Sequence, residues 1–116
     1  MNDIYIKSTP QFDEIAEKLM SEQALEDFFD HIALHPESGK IISGTGGIRK
    51  IRWETGKNNR GKSGGVRILY YYSENLLIIL VSLYGKSKKE DISDAEKNAF
   101  KQQLPILIEK YRGEIL

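Results

Sequence analysis

Cysteine is absent from this chain of 116 residues, histidine occurs only twice, and no apolar run reaches the ~18 residues needed to cross a bilayer. Without cysteine there can be no disulfide framework, no thiolate nucleophile and no cysteine-ligated zinc, and a cytoplasmic address is the simplest reading. The longest apolar candidate, Leu76 to Leu83, contains Ser82, so no membrane association is expected. The N-terminus carries Asp3 and Lys7 where a secretory signal would place a basic stretch followed by an apolar one. What is present is ordinary for a globular protein, with 40% hydrophobic and 29% charged residues. The length suits a single domain over residues 1–116 with its own core.

Net charge is also missing, since 17 Lys and Arg cancel 17 Asp and Glu, but the cancellation is between segments. Residues 1–39 carry 2 basic against 9 acidic side chains, residues 40–89 carry 11 against 2, and residues 90–116 carry 4 against 6. For a polyanionic partner the distribution of charge matters more than its sum, and here the positive charge is gathered in the middle of the chain.

Periodicity divides the chain into an α+β order. Ile4, Tyr5 and Ile6 suit a short first strand. Phe12, Ile15, Ala16, Leu19 and Met20 recur at helical spacing, as do Leu25, Phe28, Phe29, Ile32 and Ala33, with a break at Ser21 and Glu22 and an end at Pro36 to Gly39. The pair reads as a helical hairpin with an acidic outer face. After the glycine-rich turn Gly44 to Gly47, residues 48–53 alternate as a strand does. Lys57 to Gly65 lacks apolar residues and reads as a loop. Val66 to Tyr72 and Leu76 to Tyr84 are rich in β-branched and aromatic residues and flank a turn at Ser73, Glu74 and Asn75, which gives an antiparallel meander. Ser93 to Glu96 has the form of a capping box opening a last helix. Phe100, Leu104, Leu107, Ile108 and Tyr111 continue it, and Pro105 predicts a kink or restart.

The basic residues fall on the sheet and its loops: Arg49, Lys50, Arg52, Lys57, Arg60, Lys62, Arg67, Lys86, Lys88 and Lys89. Side chains alternate faces in a strand, so with Ile51 and Trp53 turned inward, Lys50 and Arg52 point outward and Arg49 sits at a rim. Arg67 is expected to join them on a face left open by helices packed on the other side. Such a cluster, with tyrosines among it, fits nucleic acid through phosphate attraction and base stacking. It fits an acidic protein partner by the same charges, and it also fits a merely solvated sheet face.

Other constellations carry less. His31 and His35 are four apart on one helix, but no third ligand and no H-E-x-x-H pattern accompany them, so no metal site is expected. Neither glycine cluster opens a helix after G-K-S/T, which excludes a P-loop, and no serine-histidine-aspartate set is recognisable. No cofactor is expected.

The runs G-T-G-G-I-R-K-I-R-W (Gly44 to Trp53), G-K-S-G-G-V-R-I-L-Y-Y-Y (Gly61 to Tyr72) and L-Y-G-K-S (Leu83 to Ser87) resemble the RelE/ParE superfamily of type II toxins, most closely its HigB-like branch. The resemblance implies a RelE-like fold: an N-terminal helical hairpin packed on a small antiparallel sheet, with a C-terminal helix. It implies a ribosome-dependent endoribonuclease that cleaves messenger RNA during translation by attack of a 2′-hydroxyl on the adjacent phosphate. The alternative is a ParE-like toxin that binds a protein target such as DNA gyrase without catalysis. By resemblance the partners are a cognate helix-turn-helix antitoxin, the ribosome and its messenger RNA, with operator DNA reached only through the antitoxin. Carried over by position, Arg67 would hold the scissile phosphate. Lys50, Lys62, Tyr84 and Lys86 complete the catalytic candidates, while Arg49, Arg52, Lys57, Arg60, Tyr71, Lys88 and Lys89 would bind RNA or ribosome. A lysine or tyrosine can act as a base near neutral pH only if neighbouring positive charge lowers its pKa from near 10, and the sequence does not choose among them.

Overall fold

In a computed structural model, residues 4–57, 65–74, 76–85 and 91–115 are described. The chain runs β1 (Tyr5–Ser8), α1 (Pro10–Leu19), α2 (Glu22–Leu34), β2 (Lys40–Ile41), β3 (Arg49–Trp53), β4 (Val66–Ser73), β5 (Leu77–Gly85) and α3 (Asp94–Ile115). Local chemistry sets the helix starts. Thr9 and Ser21 cap α1 and α2 by accepting from the backbone N–H groups of Phe12 and Ala24. The capping box expected at Ser93 forms in full: the Glu96 backbone N–H donates to Ser93 Oγ, and the Ser93 N–H donates to Glu96 Oε1. Pro105 does not restart α3, which continues through it to Ile115.

The strands form one sheet in the order β1-β5-β4-β3-β2. The expected meander is β3, β4 and β5, each antiparallel to the next. Two parts depart from a purely antiparallel sheet read from sequence. β1 pairs in parallel with β5, so the sheet is mixed, and the two-residue β2 extends it beyond β3.

The larger correction concerns the two faces. α1 and α2 cover one of them: Phe12, Ala16, Met20, Ala24, Phe28 and Ile32 pack with Val66, Ile68, Tyr70, Ile78, Leu80 and Leu83. The other face is not left open, because α3 crosses it. Ile92, Leu104 and Tyr111 pack there with Ile48, Leu69, Leu77, Ile79 and Val81. β5 is therefore covered on both sides and reads as a near-continuous apolar run, interrupted at Ser82, instead of alternating. What α3 leaves least covered is the close of β3 and the start of β4, where Arg52 is exposed and Arg67 half-buried, while Tyr84 at the end of β5 is buried in the α3 cluster.

Candidate nucleic-acid interface

Cross-strand register decides which side chains meet at that end of the sheet. Arg52 on β3 lies directly opposite Arg67 on β4, and Arg67 lies opposite Tyr84 on β5. Residues directly opposite share a face, with Cβ atoms about 5 Å apart. One row thus holds two guanidinium groups and a phenol. One step along, Lys40 on β2 lies opposite Lys50 on β3. Each row places like charges side by side, an arrangement that weakens a sheet in the absence of an anion.

Tyr84 reaches this row through an irregularity. Leu69 lies opposite Ser82, whereas Tyr70 lies opposite Leu80, so Val81 is the extra residue of a bulge. In regular register Leu83 would face Arg67. The bulge shifts the frame by one residue and delivers Tyr84 instead, the re-aiming of a side chain for which bulges are commonly used. The β3–β4 connection is similarly fixed at its β4 end. Gly65 has φ +67°, and a Cβ there would run into the Trp53 carbonyl oxygen, so glycine precedes β4 for both conformational and steric reasons.

The electrostatics separate the roles of these groups. Tyr84 is 9% exposed. Burial pushes its hydroxyl above the ordinary phenol value, the Asp91 and Glu96 carboxylates add to the rise, and Arg67 opposes it. Near neutral pH Tyr84 therefore keeps its proton and acts as a donor. Lys50 Nζ lies 3.3 Å from Asp91 Oδ1. That carboxylate also accepts from the Ile92 backbone N–H at 2.9 Å, which holds its pKa below the ordinary value, with Lys50 and Lys97 assisting. Arg67 is half-buried and Arg52 exposed.

Not every basic residue expected at the site is there. Arg49 lies on the opposite face, in register with the buried Tyr70, and donates to the carbonyls of Gly39 at 2.8 Å and Glu37 at 3.2 Å. Its guanidinium ties the end of α2 to β2. Lys57 donates to the Lys18 carbonyl at 3.0 Å and belongs to the end of α1. Tyr71 shares the face of Arg67 but lies four residues further along β4, packed in the α3 core beside Gly47, so it is a packing residue. The expectations for Arg60, Lys62, Lys86, Lys88 and Lys89 lie outside the described residues. His31 rests against Trp53 with ring centroids 5.1 Å apart, and its Nε2 lies 3.1 Å from Ser38 Oγ. The glycine-rich turn before β3 is a hairpin stop, in which Thr45 Oγ1 donates to the Ile42 carbonyl and accepts from the Ile48 N–H.

Three residues at the site went unread in the sequence. Lys40 was hidden because a two-residue strand has no periodicity. Asp91 and Lys97 precede and open a helix whose position over the sheet is a tertiary fact. The sequence signal for that position is the near-continuous apolar run of β5, which marks a strand covered on both faces.

Known structures share this fold. The double arginine-to-alanine mutant of E. coli toxin RelE in the free state superposes with a TM-score of 0.53 at 14% identity, covering 77% of this chain and 90% of that one. The archaeal RelE–RelB complex from Pyrococcus horikoshii OT3 gives 0.52 at 17% identity, covering 76% of this chain and 100% of the matched one. At such identities the similarity establishes the fold. The family model described as RelE toxin of the RelE / RelB toxin-antitoxin system matches residues 6–112, nearly the whole chain, and the chain belongs to that family of toxins.

Proposed function

We propose that this toxin is a ribosome-dependent endoribonuclease of the HigB-like branch, acting in the cytoplasm as a single domain on messenger RNA engaged in translation. The observation that carries this reading is the row Arg52, Arg67 and Tyr84, with the Lys40 and Lys50 pair beside it. Like charges gathered on one sheet end call for an anion between them, and a protonated phenol beside them supplies the donor that a leaving oxygen needs.

In the reaction the 2′-oxygen attacks the adjacent phosphorus, the bond from phosphorus to the 5′-oxygen breaks, and a 2′,3′-cyclic phosphate remains. Arg67 binds the non-bridging oxygens, whose negative charge grows in the transition state. Arg52 and Lys40 hold flanking phosphates. Tyr84, kept neutral by burial, donates its proton to the departing 5′-oxygen. The proton of the attacking hydroxyl passes to Lys62 or Lys86, which alanine substitution at each distinguishes, while Lys50, whose Nζ faces the Asp91 carboxylate, joins in holding phosphate. A helix-turn-helix antitoxin is the cognate partner, and it connects the toxin to operator DNA.

The test is to induce the chain alone and map messenger RNA 5′-ends within minutes. New ends inside translated codons that disappear with Arg67→Ala support the reading. Growth arrest with intact transcripts overturns it in favour of a ParE-like toxin acting on a protein such as DNA gyrase.

A further inference from the structure

The contact between Lys50 and Asp91 joins β3 to the segment leading into α3, 41 residues later in the chain. Asp91 is not needed to cap α3, because the Ser93 and Glu96 pair already satisfies that helix start reciprocally. Its carboxylate is instead anchored by the Ile92 N–H and aimed at an ammonium that shares its strand face with Arg52. Lys97 lies close enough to add its attraction, and Tyr84 is close enough to feel the negative charge. An acidic group thus sits where the positive charge of the sheet end is gathered.

Resting on the RNA-cleaving reading above, we propose that Asp91 is a resident substitute for a substrate phosphate: it occupies Lys50 in the free toxin and must be displaced by the RNA backbone. The exposure of the pair fits that role. The side chains of Lys50 and Asp91 retain 30% and 61% of their accessible surface. An ion pair this wet is weak, so a strand contacting Arg52, Arg67 and Lys40 together displaces it readily, whereas an isolated phosphate does not. Asp91 in this way suppresses loose attachment to polyanions and reserves Lys50 for an RNA that fills the whole row. It acts through Lys50 and touches no reacting atom, so it is a positioning residue.

The experiment measures binding of a fluorescent single-stranded oligoribonucleotide to the full chain over a range of salt, for the wild type, Asp91→Asn, Lys50→Ala, the double variant and Arg67→Ala. Asp91→Asn is expected to tighten binding by about two- to fivefold and to steepen the salt dependence, because the competing internal ion pair that it removes is itself weakened by salt. In the Lys50→Ala background the same substitution should change little. An equal effect with and without Lys50 overturns the proposal, because Asp91 would then act as a general negative charge. Unchanged affinity and slope in Asp91→Asn overturn it as well, while RNA binding that still depends on Arg67 preserves the RNA reading. Binding indifferent to Arg67 and to Asp91 overturns both.

Discussion

The two faces of the sheet are built from alternate residues of the same strands and serve different ends. On the α1 and α2 face Arg49 and Tyr70 are consumed by the fold: Arg49 holds the carbonyls of Glu37 and Gly39, and the Tyr70 hydroxyl donates to the Pro36 carbonyl and accepts from the Gly39 N–H. On the other face α3 covers the apolar half and stops short of a row in which arginine faces arginine. On one face Arg49 and Tyr70 are spent on backbone groups of the fold, whereas on the other arginine lies opposite arginine and Lys50 faces an exposed carboxylate. Proximity in sequence is therefore a poor guide to role, since Arg49 and Lys50 are neighbours with unrelated work.

Substitutions that touch one face and spare the other test this division. Phe28→Ala, which empties a fully buried site and removes the edge-to-face contact with Trp53 at 5.3 Å, should destabilise the protein by about 3–5 kcal/mol in chemical denaturation. Arg67→Ala should lower cleavage by about 10²- to 10³-fold in mapped transcript ends with the melting temperature nearly unchanged. A large loss of stability in that variant would break the division. Arg49→Ala should do the reverse, costing about 1–3 kcal/mol of stability with cleavage per folded molecule intact.

Tyr70→Phe should cost a similar amount, since the buried Gly39 N–H loses its acceptor. It also sharpens the pH dependence. Burial raises the Tyr70 and Tyr84 hydroxyls above the usual phenol value, so the unfolded chain releases these protons first as pH rises. Their contribution to stability is complete below pH of about 10 and is lost as pH climbs through the folded values. Tyr70→Phe should flatten that alkaline decline in denaturation midpoints measured against pH. The smallest effect belongs to Lys57→Ala, an exposed residue away from both cores, which should shift stability by no more than about 0.5 kcal/mol.

Much of this was legible without a structure because it is local. Amphipathic spacing marked α1 and α2, the reciprocal Ser93 and Glu96 pattern marked the start of α3, and strand alternation placed Lys50, Arg52 and Arg67 together, whereas Arg49, expected at a rim among the RNA contacts, lies on the other face. The unread features are long-range or irregular. No local pattern says that a four-residue strand at Tyr5 will pair in parallel with β5, or that α3 will lie across the basic face and bring Asp91 to Lys50. The bulge at Val81 is invisible because the residues around Ser82 are apolar on both faces and show no phase to slip, and that slip decides whether Leu83 or Tyr84 confronts Arg67.

The parallel pairing of Tyr5–Ser8 with Leu77–Leu80 also bears on when the toxin can first exist. Contacts that bridge some seventy positions are slow to close, and during synthesis they cannot close until the later partner has left the ribosome. β5 is the central support of the sheet, flanked by β1 and β4 and covered on both sides. A nascent chain that has not yet exposed residue 85 therefore lacks the complete sheet and the full row of Arg52, Arg67 and Tyr84.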